Sequence, residues 1–193
     1  MVLGTSKKQT TQARRLSDKF KVKELLKIAP LQSLEDLFKY VNMANWQFPF
    51  FILPNRWIQQ QSDGFEKYLS EDGWELPNAW ASENRKLDYL SELDLLLNKA
   101  ASWSEQLAIW KSSKHDSDIQ AWHNSEVIEE LQVRLDLRGD VRSMALRIVE
   151  FCEPRQLSFL ILDTATICPP DIFSLIDRAL SSRAAKSFKI KRL

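Results

Sequence analysis

Glycine is scarce in this sequence, with four residues in a chain of 193. Globular proteins contain about 7% glycine on average. The shortage argues against glycine-rich phosphate-binding loops and against all-β folds that depend on many tight turns. The remaining composition, with 44% hydrophobic and 27% charged residues, is that of an ordinary globular protein.

Cysteine is equally scarce, and the two residues are Cys152 and Cys168. Small secreted domains use more cysteines and use them in pairs, so we expect reduced thiols and a cytoplasmic protein. The longest apolar run, Phe48–Leu53, contains Pro49 and is too short to span a bilayer. The N-terminal residues lack the apolar stretch of a signal peptide, and we predict no membrane partner.

Catalytic and cofactor motifs are absent as well. The sequence contains no GxxxxGK[ST], GxGxxG, HExxH, CxxC or GxSxG pattern. His115 and His123 are the two histidines, and no local pattern ties either one to a serine or cysteine nucleophile. The spacing of histidines and cysteines does not match a zinc finger. We therefore predict no metal and no cofactor, and favour a protein that is not an enzyme.

The last third of the chain has the clearest periodicity. Alternating apolar residues predict a strand over 131–137, and apolar residues at helical spacing predict a helix over 141–152. The apolar run 157–162, with Ser158 as its one polar member, is typical of a strand buried on both faces. A helix over 171–182 and a strand over 187–193 follow. This β-α-β-α-β order predicts a small, mostly parallel sheet.

The first two thirds suggest helices instead. Apolar residues at helical spacing predict helices over 33–44 and 83–111. The aromatic segment 46–53 is β-like, and Pro49 would confine it to an edge strand or an irregular segment. The fold class expected is therefore α/β, or α+β, with a helical N-terminal half packed on the C-terminal sheet. The expected organisation is a flexible basic arm, a mainly helical region and an α/β region, over 1–15, 16–125 and 126–193.

Polar side chains after the predicted strands are the candidates for chemistry. In open α/β sheets, sites form beyond the carboxyl ends of the strands. If the strands 131–137 and 157–162 are neighbours, Asp140 and Asp163 approach each other and could hold a metal ion. The simpler interpretation is that each carboxylate caps local backbone. Cys168 precedes a predicted helix, whose N-terminus would make the thiol reactive, although packing is the more common role of such a cysteine.

Aromatic residues are concentrated between positions 46 and 57. All seven tryptophans lie between Trp46 and Trp122, and tryptophan is enriched at protein interfaces. These side chains either close the core or form a partner-binding patch. The candidates for that patch are Trp46, Phe48, Phe50, Phe51 and Trp57.

Charge is segregated along the chain although the net charge is only +1. Residues 1–23 carry seven cations and one acid, residues 183–193 carry five cations and no acid, and residues 63–94 carry nine acids and three cations. Basic ends could bind phosphates, or the cations could protect an edge strand from aggregation. The candidate nucleic-acid contacts are Lys7, Lys8, Arg14, Arg15, Lys186, Lys189, Lys191 and Arg192.

Three hypotheses about function follow. The first is a non-enzymatic cytoplasmic protein-interaction module, which could be an adaptor, an immunity-type protein or a subunit of a larger assembly. The second is nucleic-acid binding through the basic ends. The third is a metal-dependent enzyme that uses carboxylates at strand ends. The missing catalytic motifs and the aromatic excess favour the first, with another protein as the partner.

Overall fold

A computed structural model of the protein describes residues 46–70, 73–76, 79–81, 88–124 and 127–187. The chain divides into two compact units. One comprises Met1–Met43 and Leu69–Trp74. Its described residues form an antiparallel hairpin of strands β2 (Leu69–Ser70) and β3 (Gly73–Trp74). The predicted arm 1–15 and helix 33–44 lie outside the described residues.

The other unit comprises Ala44–Tyr68 and Glu75–Leu193 and contains a seven-stranded sheet. Its strands are β1 (Gln47–Pro54), β4 (Asn98–Ala100), β5 (Leu107–Lys111), β6 (Asp118–His123), β7 (Ile128–Asp136), β8 (Leu157–Ile161) and β9 (Thr166–Cys168). Its helices are α1 (Asn55–Gln59), α2 (Asp88–Ser91), α3 (Val141–Cys152), α4 (Ile172–Ser181) and α5 (Arg183–Ser187). Short 3-10 turns cover Phe65–Tyr68, Glu92–Leu95 and Glu153–Arg155.

The strand order in this sheet is β4-β5-β6-β7-β1-β8-β9, and all neighbouring strands are antiparallel. The predicted fold, a helical half on a mostly parallel sheet, is therefore wrong. Strands β7 and β8 run parallel, as expected of strands joined by a crossover helix, but β1 lies between them and pairs antiparallel with both. Local periodicity identifies a strand but does not reveal which distant strand pairs with it.

The aromatic segment is a central strand and not the predicted edge. All eight residues of β1 are buried, and they pair with β7 on one side and β8 on the other. Pro49 is tolerated because pairing with β8 begins at Phe50, so at Pro49 only β7 accompanies β1. The rings of Phe48, Phe50 and Phe159 lie on one face, with centroids 5.7 and 5.1 Å apart.

The helix predicted over 83–111 is also wrong for the residues described. Only Asp88–Ser91 is α-helical there, and β4 and β5 follow. Leu107, Ala108, Ile109 and Trp110 are buried in succession, which is typical of a strand covered on both faces. Pairing with β4 and β6 satisfies the backbone hydrogen-bonding groups of β5. The free energy gained by this pairing outweighs the helix that the spacing of the leucines favours locally.

The local predictions for the last third are largely confirmed. The predicted strand, helix and buried strand correspond to β7, α3 and β8, and α4 corresponds to the last predicted helix. All five residues of β8 are buried, and β8 has a neighbour on each side. Residues 188–193 of the last predicted strand lie outside the described residues, whereas β9 follows β8 directly.

Candidate functional site

Four of the five aromatic side chains proposed for partner binding lie in the core. Phe48, Phe50, Phe51 and Trp57 are all less than 9% exposed. Trp46 is half-buried, and the guanidinium of Arg138 stacks over its ring with Cζ 4.0 Å from the centroid. The burial argues against direct partner contacts by these four residues and supports the simpler interpretation that they close the core.

The two candidate metal-binding carboxylates bind backbone amides. Asp140 caps α3 by accepting a hydrogen bond from the amide of Ser143 at 3.0 Å. Asp163 accepts one from the amide of Arg183 at 3.0 Å. Their strands, β7 and β8, are not neighbours as the hypothesis assumed, because β1 separates them by two strand spacings, about 10 Å. Among the described residues, no group of three metal-ligating side chains could hold an ion.

The thiol of Cys168 is buried and not activated. Cys168 ends β9, and the N-cap of the following helix is Asp171. Burial raises the pKa of Cys168 to about 11, although the nearby Arg178 lowers it. The thiol therefore stays protonated at neutral pH, opposite to the expectation from a helix N-terminus.

Of the eight cations proposed to bind nucleic acid, the described residues include only Lys186, which is exposed on α5. Lys7, Lys8, Arg14, Arg15, Lys189, Lys191 and Arg192 lie outside the described residues. No helix within the described parts of the chain is long and apolar enough to cross a membrane.

A polar groove lies beside the loop that joins β5 and β6, residues Ser112–Ser117. This groove is lined by residues that include Leu95, Asn98, Lys111, Lys114, His115 and Arg147. Its volume is about 340 Å³. Three separate segments build it: the end of the 3-10 turn before β4, the loop itself and the first half of α3.

A network of charges holds the loop in place. Arg138 binds both carboxylate oxygens of the buried Asp136, at 2.9 and 2.8 Å, and also binds Asp116. Asp136 in turn accepts the amide proton of Asp116 at 3.0 Å. Burial alone raises the pKa of Asp136, but these hydrogen bonds from Arg138 and Asp116 outweigh it and hold the pKa below its ordinary value.

Two neutral contacts complete the anchoring of the loop. Gln47 at the start of β1 donates to the carbonyl oxygen of Asp116 at 2.7 Å, and the hydroxyl of the buried Ser117 accepts the amide proton of Asp136 at 2.9 Å. The loop is therefore tied to both β1 and β7 at its far end, while Ser113, Lys114 and His115 are exposed.

Gly139 allows the loop to approach the start of α3 closely. A Cβ atom at this position would lie 2.5 Å from Cγ of His115, closer than non-bonded atoms can come. The imidazole ring thus packs directly on the backbone of Gly139. This contact fixes one wall of the groove.

The charged side chains that line the groove differ in whether they already have hydrogen-bond partners. Among the described residues, the side chains of Lys111 and Lys114 form neither a hydrogen bond nor an ion pair, and both residues are exposed. Arg147 donates to the carbonyl oxygen of Leu95 and forms no ion pair within the described parts of the chain. The two acids are engaged, since Asp94 accepts the indole proton of Trp110 at 2.6 Å and Asp140 caps α3. The groove therefore offers cations to an anionic ligand.

An exposed leucine lies in the same groove. Leu95 is 79% exposed, although most leucines are buried. The sequence analysis identified neither Leu95 nor the lysines. The polar loop between two strands was a signal for Lys114, but nothing in the local pattern brings Leu95 and Arg147 to that loop.

No protein-family model, no curated protein and no solved structure matches this chain. The chemistry of the groove is therefore the basis for inferring the function.

Proposed function

We propose that the protein is a non-enzymatic protein-interaction module whose groove binds an acidic segment of a partner protein. The observation that carries this proposal is the pair of unengaged lysines, Lys111 and Lys114, beside acids that already have donors. Depending on the identity of the partner, the protein is an adaptor, an immunity-type protein or a subunit of a larger assembly. The two free, buried cysteines support a cytoplasmic location.

The balance of charge favours an acidic ligand over a neutral one. Exposed lysines keep their hydration in the free protein, and a carboxylate that approaches them gains attraction without first breaking an ion pair. Such rim contacts accelerate association and select the partner more than they add affinity.

The exposed Leu95 favours a protein segment over a nucleic acid. An apolar side chain that is 79% exposed gains by burial against an apolar residue of a partner, and a phosphate backbone offers no such residue. The carboxylates of Asp94 and Asp140 also line the groove and would repel a dense polyanion more than a mixed acidic and apolar peptide.

Fluorescence anisotropy tests the proposal with a labelled peptide of glutamates around a central leucine, about ten residues long. The double variant Lys111→Gln/Lys114→Gln should bind it about twofold to thirtyfold more weakly, since exposed ion pairs contribute about 0.2–1 kcal/mol each. The matched control is Arg178→Gln/Lys186→Gln, which removes the same charge from exposed positions outside the groove. It should bind like the native protein.

Two results would reject the proposal. One is that the groove variant and the control variant weaken peptide binding equally, which would show a non-specific effect of net charge. The other is a single-stranded oligonucleotide of the same length that binds more tightly than the peptide and loses affinity steeply with salt. That second result would favour the nucleic-acid hypothesis.

A further inference from the structure

The two edges of the seven-stranded sheet are unequally protected. At one edge is β9, where Thr166 and Ile167 are half-buried, Cys168 is buried and Pro169 follows. At the other edge is β4, where Asn98 and Lys99 are exposed. An edge strand presents unpaired backbone N–H and C=O groups along its outer side. As far as the described residues show, the β4 edge is thus the more accessible of the two.

The β4 edge is continuous with the groove. Asn98 is the first residue of β4 and also lines the groove. In register, Asn98 lies opposite Lys111 and Lys99 lies opposite Trp110. Because opposite residues share a sheet face, Lys111 and Lys99 present positive charge on the two different faces of this edge.

We propose, on the basis of the function argued above, that the acidic segment of the partner binds as an added β-strand along β4 and continues into the groove at Leu95. Its main chain pairs with the outer groups of β4. Its side chains alternate between the two faces. Glutamates or aspartates on one face lie beside Lys99 of β4, and those on the other lie beside Asn98, with Lys111 of β5 two strand spacings, about 10 Å, away.

The lysines also argue against a second copy of this chain at the same edge. Pairing two β4 strands would place the Lys99 side chains of both copies on adjacent strands, with Lys111 one strand further away in each copy. Like charges on adjacent strands are destabilising. Lysine on an edge strand is one of the devices that prevent such self-association. The same charges attract a strand that carries carboxylates, so the partner that fits is a different, acidic chain.

The shortness of β4 sets the expected strength of the interaction. β4 has three residues, and on an edge strand only every second residue directs its backbone groups outward. The added main-chain hydrogen bonds are therefore few, with a net contribution of about 0.5–1.5 kcal/mol each. Tight binding would require the lysines and Leu95 in addition.

The test compares the glutamate–leucine peptide with the same peptide methylated on all its backbone nitrogens. Methylation removes the donors but leaves the charge and the side chains unchanged. The methylated peptide should bind at least about tenfold more weakly. In NMR spectra of the native protein with the unmethylated peptide, nuclear Overhauser effects should connect the peptide backbone to Asn98, Lys99 or Ala100.

The outcomes separate this inference from the proposed function. Equal binding of both peptides, with the Lys111→Gln/Lys114→Gln loss retained, would leave the groove as an acidic-segment site and overturn strand addition. Peptide contacts confined to the side chains of Lys111, Lys114 and Leu95 would do the same. Loss of the lysine dependence, or no binding of the acidic peptide at all, would overturn both proposals.

Discussion

The aromatic strand β1 and the groove differ in what a substitution can change. In β1, Phe50 is fully buried between β7 and β8, so its side chain contributes to the stability of the fold. In the groove, Leu95 and the lysines are exposed and contribute little to stability. Hydrophobic character alone therefore does not identify an interface, because the segment of this chain that is richest in aromatic residues lies in its core.

The largest expected effect separates these two regions directly. Phe50→Ala should lower the free energy of unfolding by about 3–5 kcal/mol, because it removes a buried ring and leaves a cavity. Leu95→Ala should change it by no more than about 0.5 kcal/mol, because an exposed side chain loses no packing. Urea denaturation measures both. A stability loss of similar size for Leu95→Ala would show that Leu95 belongs to the core and not to a binding surface.

A smaller effect is expected where the groove is tied to the sheet. Arg138→Ala should destabilise the protein less than Phe50→Ala does, because it leaves the buried carboxylate of Asp136 without its cation but not without its backbone donors. The loss is moderated by water, since the Arg138 side chain is 41% exposed. The free energy of unfolding of the native chain should also fall more at low pH than that of Arg138→Ala.

The direction of that acid effect follows from the pKa of Asp136. The fold holds this pKa below the ordinary value of 3.8, so the ionised carboxylate stabilises the native state above that value. The stabilisation is lost as pH falls through 3.8 toward the lower native pKa. Urea midpoints measured between neutral pH and about pH 3 should fall more steeply for the native protein than for Asp136→Asn. Parallel curves would contradict the network described.

The smallest effect concerns the contact that closes the groove wall. Gly139→Ala should cost about 1 kcal/mol, because the added methyl group would lie 2.5 Å from the ring of His115. The double variant Gly139→Ala/His115→Ala removes the clash and should recover most of that loss in a thermal melt. If His115→Ala does not rescue the glycine variant, strain elsewhere in the turn explains the cost.

Part of the fold was predictable because some elements depend mainly on their own residues. The alternation that ends at Asp136, the helical spacing over Val141–Cys152 and the apolar run at Leu157–Ile161 each correspond to an observed element. Asp140 also caps α3 as its position suggested. The helix predicted over 83–111 is wrong because its leucines fit a helix locally, whereas β4 and β5 pair with each other and β5 pairs with β6, the next strand along the chain.

The candidate site was less accessible to prediction. The polar composition of residues 112–119 indicates a loop that contains Lys114 and follows Lys111, but the role of these lysines depends on Leu95 and Arg147. The four residues come from three segments that meet only after the sheet has formed. The domain boundaries predicted at residues 15 and 125 stay predictions.

The sequence by itself determined where short-range order forms, since side-chain periodicity, capping residues and prolines act over a few residues. The tertiary structure decided that β1 lies between β7 and β8, which makes the sheet antiparallel and moves Asp140 away from Asp163. It also decided that the aromatic residues of β1 are covered while Leu95 and the lysines remain exposed. The physical reason is that strand pairing joins residues far apart in sequence, and burial depends on what else packs over them.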